Sequence, residues 1–174
     1  MTIRKAAAND IDAIETIYND TITLEEQGLL TTGWIRGVYP VRAVAEAALS
    51  RDDLFVMEDN GEIVGTAIIN HIQMDAYADG TWEYDAPDDK IMVLHTLIIS
   101  PKHTGHGYGK AFVAFYEDYA LQHGCPYLRM DTNARNVNAR KLYKKLGFTE
   151  PDIVPCDFNG IKSVHMVLLE KFIG

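Results

Sequence analysis

Apolar positions along this chain follow two spacings, and the change from one to the other marks out its elements. After Asn9 and Asp10, either of which can cap a helix, Ile11, Ile14, Ile17 and Tyr18 recur at helical steps. Val44, Ala45, Ala48 and Leu49 predict a second helix from about Val41 to Leu49. Phe112, Phe115, Tyr116 and Tyr119 predict a third over 110–123, and 136–146 a fourth that stops at Gly147. Apolar runs predict strands at 3–6, 54–57, 63–70, 91–99 and 127–131, with a closing pair at 153–158 and 163–169. Asn60-Gly61 and Asn159-Gly160 suit the turns between paired strands, because Asn-Gly accepts positive φ. Residues 21–40 are mixed, and residues 75–89 form a polar excursion.

The resulting order is β-α-α-β-β-β-α-β-α-β-β. The strand 91–99, helix 110–123, strand 127–131 unit reads as a right-handed crossover, so its two strands are expected to be parallel neighbours. Ligands bind at the carboxyl ends of such strands.

At that end lies Ser100-Pro101-Lys102-His103-Thr104-Gly105-His106-Gly107-Tyr108-Gly109-Lys110. Glycine tolerates positive φ and lets a ligand approach the backbone. A helix start presents unpaired N–H groups to an anion. The stretch therefore suits a pyrophosphate, although a plain turn explains the glycines equally well. It fails the dinucleotide fingerprint, whose sixth position here is Lys110, and it fails the P-loop, where Thr104 and Ala111 stand at required positions.

Composition narrows the class. The 174 residues suit one domain over 1–174, and 47% hydrophobic with 24% charged residues is usual for a soluble globular chain. The net charge of −9 argues against nucleic acid as a partner and is compatible with a cationic substrate. No apolar run reaches transmembrane length, the first residues lack a signal peptide's apolar core, and a count of only two cysteines argues against a disulfide framework. A cytoplasmic protein without a membrane partner is expected. His103-x-x-His106 has a metal-like spacing but no third ligand, so no metal is expected.

A second signature follows one crossover later: Asn136-x-x-Ala139-x-x-Leu142-Tyr143-x-Lys145-x-Gly147-Phe148. Asn136, Ala139 and Tyr143 share a helix face. With both motifs in register, the chain resembles the GCN5-related N-acetyltransferase (GNAT) superfamily from Ile3 to Leu169. Arg129-Met130-Asp131-Thr132 is similar to the end of the fifth strand in small bacterial members.

The resemblance implies an α/β (α+β) fold: a mixed, mostly antiparallel seven-stranded sheet with splayed parallel strands four and five, flanked by about four helices. It implies acetyl-CoA as co-substrate. Thr104, where the family usually has Arg or Gln, then opens a loop whose Gly105, His106, Gly107, Tyr108, Gly109 and Lys110 amides hold the pyrophosphate. Leu97, Ile98 and Ile99 pair with the pantetheine arm like an added strand. Asn136 contacts that arm or caps its helix, and Tyr143 protonates the departing thiolate.

Acetyl transfer to an alkylamine also needs a base, because an amine of pKa about 10.4 arrives protonated. His95, two residues before Leu97, is one candidate: plain alternation sets His95, Leu97 and Ile99 on one face. A satisfied buried histidine is the other reading. Glu83 and Asp85 in the acidic, aromatic excursion 75–89 are alternatives, as is a water chain. Glu25 and Glu26 are ambiguous in the same way. The leading expectation is an N-acetyltransferase (EC 2.3.1.-) acting on a small-molecule amine by direct attack in a ternary complex, as a monomer or homodimer. A protein lysine or N-terminal acetyltransferase and a non-catalytic acyl-CoA-binding module are the alternatives.

Overall fold

The computed structural model describes residues 1–174. Seven strands form one sheet: β1 (Thr2–Lys5), β2 (Leu54–Asp59), β3 (Glu62–Asn70), β4 (Ile91–Ile99), β5 (Tyr127–Asn133), β6 (Thr149–Phe158) and β7 (Ile161–Phe172). Their order is β1-β2-β3-β4-β5-β7-β6, and only β4 and β5 run parallel. Four helices flank them: α1 (Ile11–Glu26), α2 (Arg42–Ser50), α3 (Tyr108–Gln122) and α4 (Val137–Lys145). The fold is the one the sequence predicts.

Alternation along the strands divides the core. Phe55, Met57, Met92, Leu128 and Leu169 pack with α3 and α4 through Phe112, Tyr116 and Tyr143. Val56 and Ile68 pack on the opposite face with Ile14 and Tyr18 of α1 and Ala45 and Ala48 of α2. Phe115 and Tyr119 of α3 are only partly buried against the first cluster.

Two local expectations change. Helix α1 continues to Glu26, through a stretch whose threonines lower helix propensity. Thr21 and Ile22 are buried there, and the Thr21 and Thr23 hydroxyls donate to the carbonyls of Ile17 and Asn19, so packing overrides propensity. Asp10 makes no side-chain cap on α1. Its carboxylate turns back to accept from the Ala7 N–H and from Arg4, both at 2.7 Å, and the guanidinium holds its pKa below the usual carboxylate value.

The parallel pairing is short. It runs from Ile91–Tyr127 to Leu94–Met130, and beyond that β4 pairs only with β3. The buried Tyr116 hydroxyl donates into the paired zone, 2.6 Å from the Met92 carbonyl and 3.1 Å from that of Arg129. Past this point the strands splay. A bulge then interrupts β4: Ile68 faces His95 and Thr66 faces Ile98, so Thr96 and Leu97 together oppose Ala67. Thr96 takes φ +52° to make it. The extra residue reverses the alternation. Leu97 and Ile99 join the α3–α4 face with Met92 and Leu94, whereas His95 falls on the other face with Ile91 and Val93. The expectation that His95, Leu97 and Ile99 share a face is therefore corrected, because plain alternation cannot register an inserted residue.

Candidate active site

The loop after β4 is an array of free amides. Every backbone N–H from Thr104 through Lys110 lacks a partner within the chain, and pairing resumes at Ala111, whose N–H reaches the Gly107 carbonyl at 3.0 Å. Gly105 and Gly107 have φ of +85° and +76°, and Gly107 is the left-handed residue on which α3 starts. A Cβ at either position would meet nothing within 4 Å, so the glycines serve conformation rather than space. The Tyr108 hydroxyl donates to Asp59 at 2.6 Å, tying the first turn of α3 to the β2–β3 hairpin. His106 stacks on Tyr108, and His103 lies 3.3 Å from Glu62, so both histidines belong to the loop surface.

A cavity of about 590 Å³ fills the splay, within the range of small-molecule sites. It passes from one face of the sheet to the other. On the α3–α4 side its walls are Leu97, Ile99, Thr104, Gly109, Asn136, Ala139 and Leu142, and Ile98 contributes from the opposite face. Gly105, His106 and Gly107 lie on the loop after Thr104, and Tyr108 and Lys110 stand in the first turn of α3; these residues do not line the cavity. Asn136 caps α4, its Oδ1 accepting from the Ala139 N–H at 3.3 Å, and its Nδ2 is left for a ligand. The capping reading of Asn136 is thus seen directly.

Tyr143 reaches the cavity from α4 and makes no hydrogen bond within the chain. Burial, and next the charge of Asp131, push its phenol well above the ordinary tyrosine value, so it keeps its proton across the physiological range.

On the α1–α2 side the walls are apolar and aromatic: Leu24, Leu30, Trp34, Tyr39 and Phe158. Trp34 packs edge-on against Tyr39 at 6.1 Å, and Tyr39 against Phe158 at 5.1 Å. The Tyr39 hydroxyl shares a hydrogen bond with Thr96 at the bulge. Asp131, at the carboxyl end of β5, is the only charged residue lining the cavity. Tyr77 donates to its Oδ2 at 2.7 Å, while Oδ1 accepts nothing from the chain. Burial pushes this carboxyl up to about 6.

Asp131 has a role in this geometry that sequence reasoning missed. The available signal was its position: an acid at the end of the predicted strand 127–131, the ligand end of a crossover. Trp34 and Tyr39 came from a segment without period and carried no such signal.

The proposed bases lie elsewhere. His95 is off this cavity, half-buried, with Nε2 3.0 Å from Asn70 Oδ1. Burial lowers it to about 4, which leaves it neutral and weakly basic at pH 7. Glu83 accepts from Thr149 at 3.0 Å, and Asp85 faces a separate hollow beside Arg129. The excursion 75–89 reaches the cavity only through the Tyr77 hydroxyl on Asp131. Glu25 latches the loop after α1, accepting from the backbone of Thr32 at 2.6 Å and Gly33 at 3.2 Å, and Glu26 pairs with Arg36.

Comparison with known proteins fits this geometry. The uncharacterized N-acetyltransferase YhfO of Bacillus subtilis is 25% identical over 152 residues, covering 86% of this chain and 91% of its own. An uncharacterized N-acetyltransferase of Methanocaldococcus jannaschii is 27% identical over 103 residues, 59% of this chain, which spans only 42% of that relative's length. A GNAT-family acetyltransferase from Streptococcus agalactiae superposes with a TM-score of 0.82 at 23% identity, over 98% of this chain and 94% of the other. YncA from Salmonella typhimurium, described as a structure with its cofactor acetyl-CoA, superposes at 0.72 with 20% identity, over 100% and 94%. The family model described as acetyltransferase (GNAT) family matches residues 14–148, from α1 through the Gly147-Phe148 end of the second motif, and the chain belongs to that family.

Proposed function

We propose that this chain, acting as one domain, is an acetyl-CoA-dependent N-acetyltransferase that acetylates the primary amine of a small molecule by direct attack in a ternary complex. The observation that carries this is the run of unpartnered amides from Thr104 to Lys110, set beside the unpaired edge of β4 and opening onto the cavity that holds Tyr143. Those features fit the donor. The free amides and the start of α3 suit a pyrophosphate, the edge of β4 at Leu97, Ile98 and Ile99 suits an extended amide-bearing arm, and Asn136 Nδ2 is free to join it.

Acetyl-CoA supplies an activated acyl carbon. The chain's residues do the rest. A β4 backbone N–H near Leu97 donates to the carbonyl oxygen as it gains charge. The attacking ammonium must first lose one proton to a base or to water. As the N–C bond forms and the C–S bond breaks, Tyr143 gives its proton to sulfur and is refilled by the second proton leaving nitrogen. The sum is an acetamide, a thiol and one proton released.

Thiol release from acetyl-CoA across a panel of small amines, with mass detection of the acetamide, tests the proposal. Donor binding without release on any amine in the panel would overturn it. Two variants sharpen the assignment. Gly107→Val forces a branched side chain into the left-handed region and should raise the KM for acetyl-CoA about 10- to 100-fold, with the KM for the amine little changed. His95→Gln should leave the pH–rate profile unaltered and kcat within about threefold, since His95 faces away from Leu97 and off the cavity. Loss of a limb from that profile would restore His95 as the base.

A further inference from the structure

We infer that Asp131 anchors the acceptor's ammonium group, and that the acceptor is a singly cationic amine with an apolar or aromatic body and no carboxylate beside its nitrogen. The inference names the substrate class for the acetyltransferase proposed above and rests on that reading. Three observations support it.

The first is where Asp131 sits. It lies near the carboxyl end of β5, one residue past the last β4–β5 pair, in the same cavity as Tyr143 and close enough for its charge to raise that phenol. A nitrogen held at Oδ1 is therefore on the side of the cavity where an acetyl group delivered along β4 must arrive. Tyr77 fixes the carboxylate from behind through Oδ2 and leaves Oδ1 bare. A half-buried carboxylate with one oxygen left open to the cavity is poised for a charged donor.

The second is what surrounds it. Leu24, Leu30, Trp34, Tyr39 and Phe158 supply apolar and aromatic surface, and aromatic faces favour a cation. The chain's net charge of −9 favours the approach of the same species.

The third is what is missing from the walls. No Lys, Arg or His lines the cavity. Arg129 is nearest in sequence, two residues before Asp131, but its guanidinium is spent: on Glu170 at 3.3 Å, Gln73 at 2.6 Å and the Tyr84 carbonyl at 3.1 Å, with Trp82 stacked at 4.0 Å. An amino acid would bring its carboxylate against Asp131 between largely apolar walls with no cation to receive it.

Phenethylamine and phenylalanine differ by that one carboxylate, and their binding to the full chain can be measured by calorimetry with CoA present. Phenethylamine should bind at least about 30-fold tighter. Asp131→Asn keeps the shape and an acceptor for Tyr77; it should weaken phenethylamine by at least about 30-fold, leave CoA affinity within about threefold and leave the melting temperature unchanged.

In the wild type, affinity should fall as pH drops through about 6, where Asp131 takes up a proton while the amine stays charged. The other titratable groups that face Asp131 are Tyr39, Tyr77, Tyr143 and Cys156, all neutral there, and the Arg129 charge is constant. The comparison of the two ligands and the pH profile need no variant, so a folding failure of Asp131→Asn would not shelter the proposal. Equal affinity for the two ligands, no binding of phenethylamine, or indifference to Asp131→Asn each overturns it. Amine binding governed by Asp131 with no thiol release would overturn the acetyltransferase reading alone, and thiol release indifferent to Asp131 would overturn this inference alone.

Discussion

Tyr143→Phe is expected to lower kcat by about 100-fold or more, with the affinity for acetyl-CoA within about threefold of wild type. The substitution removes one oxygen and leaves the ring, which packs on Phe148 with centroids 6.1 Å apart. That oxygen makes no hydrogen bond within the chain, so its loss strands no partner and the fold should be indifferent. In the proposed mechanism what is lost is a protonated donor at the place where the leaving sulfur gains charge, an interaction made in the transition state rather than in the ground state. Steady-state kinetics with a titration of CoA checks it. A rise in KM matching the fall in kcat would show instead that the hydroxyl only seats the donor.

The largest expected effect on stability lies behind the site. Arg129→Met should destabilise the chain by about 3–5 kcal/mol, lowering the melting temperature by about 10 °C in a chain of this size. Arg129 is 6% exposed and Glu170 is 0% exposed, so methionine would strand a carboxylate that has no route to water. The backbone N–H groups of Glu83 and Tyr84 also donate to Glu170, at 2.7 and 3.3 Å, so the damage should extend into the excursion 75–89. Thermal melts of the single variant and of Arg129→Met with Glu170→Leu decide the matter. The double variant should recover part of the loss, because no buried charge is then left unpaired although the Glu83 and Tyr84 N–H groups lose their acceptor. A single variant as stable as wild type would show that water reaches Glu170.

These two residues were legible in the sequence to different degrees. Tyr143 could be placed because Asn136, Ala139 and Gly147-Phe148 fix its helix face, and a helix period survives local irregularity. Arg129 lay in plain view on a strand, but its partner is 41 residues away on β7, and no local pattern joins them. The seven strands and four helices followed from apolar runs and periods that are local in the sequence. His95 was misplaced by the bulge at Thr96, a single positive φ that leaves no compositional trace. Glu25 and Glu26 could not be resolved because their partners sit on a loop whose path is tertiary. Asp131 stands in plain view beside Arg129, but a lone acid acquires meaning only when the walls around it are known to be apolar.

The parting of β4 from β5 does more than open a cavity. A sheet is normally a partition, and ligands on its two sides never meet. Here the partition has a doorway, held open above the Tyr116 latch, with the amide loop on one side and the aromatic chamber on the other. Two molecules of very different bulk can use separate entrances and still touch at one point. The size of the donor then sets no limit on the acceptor, and the chamber built from α1, the loop after it and β6 is free to diverge while the doorway stays as it is.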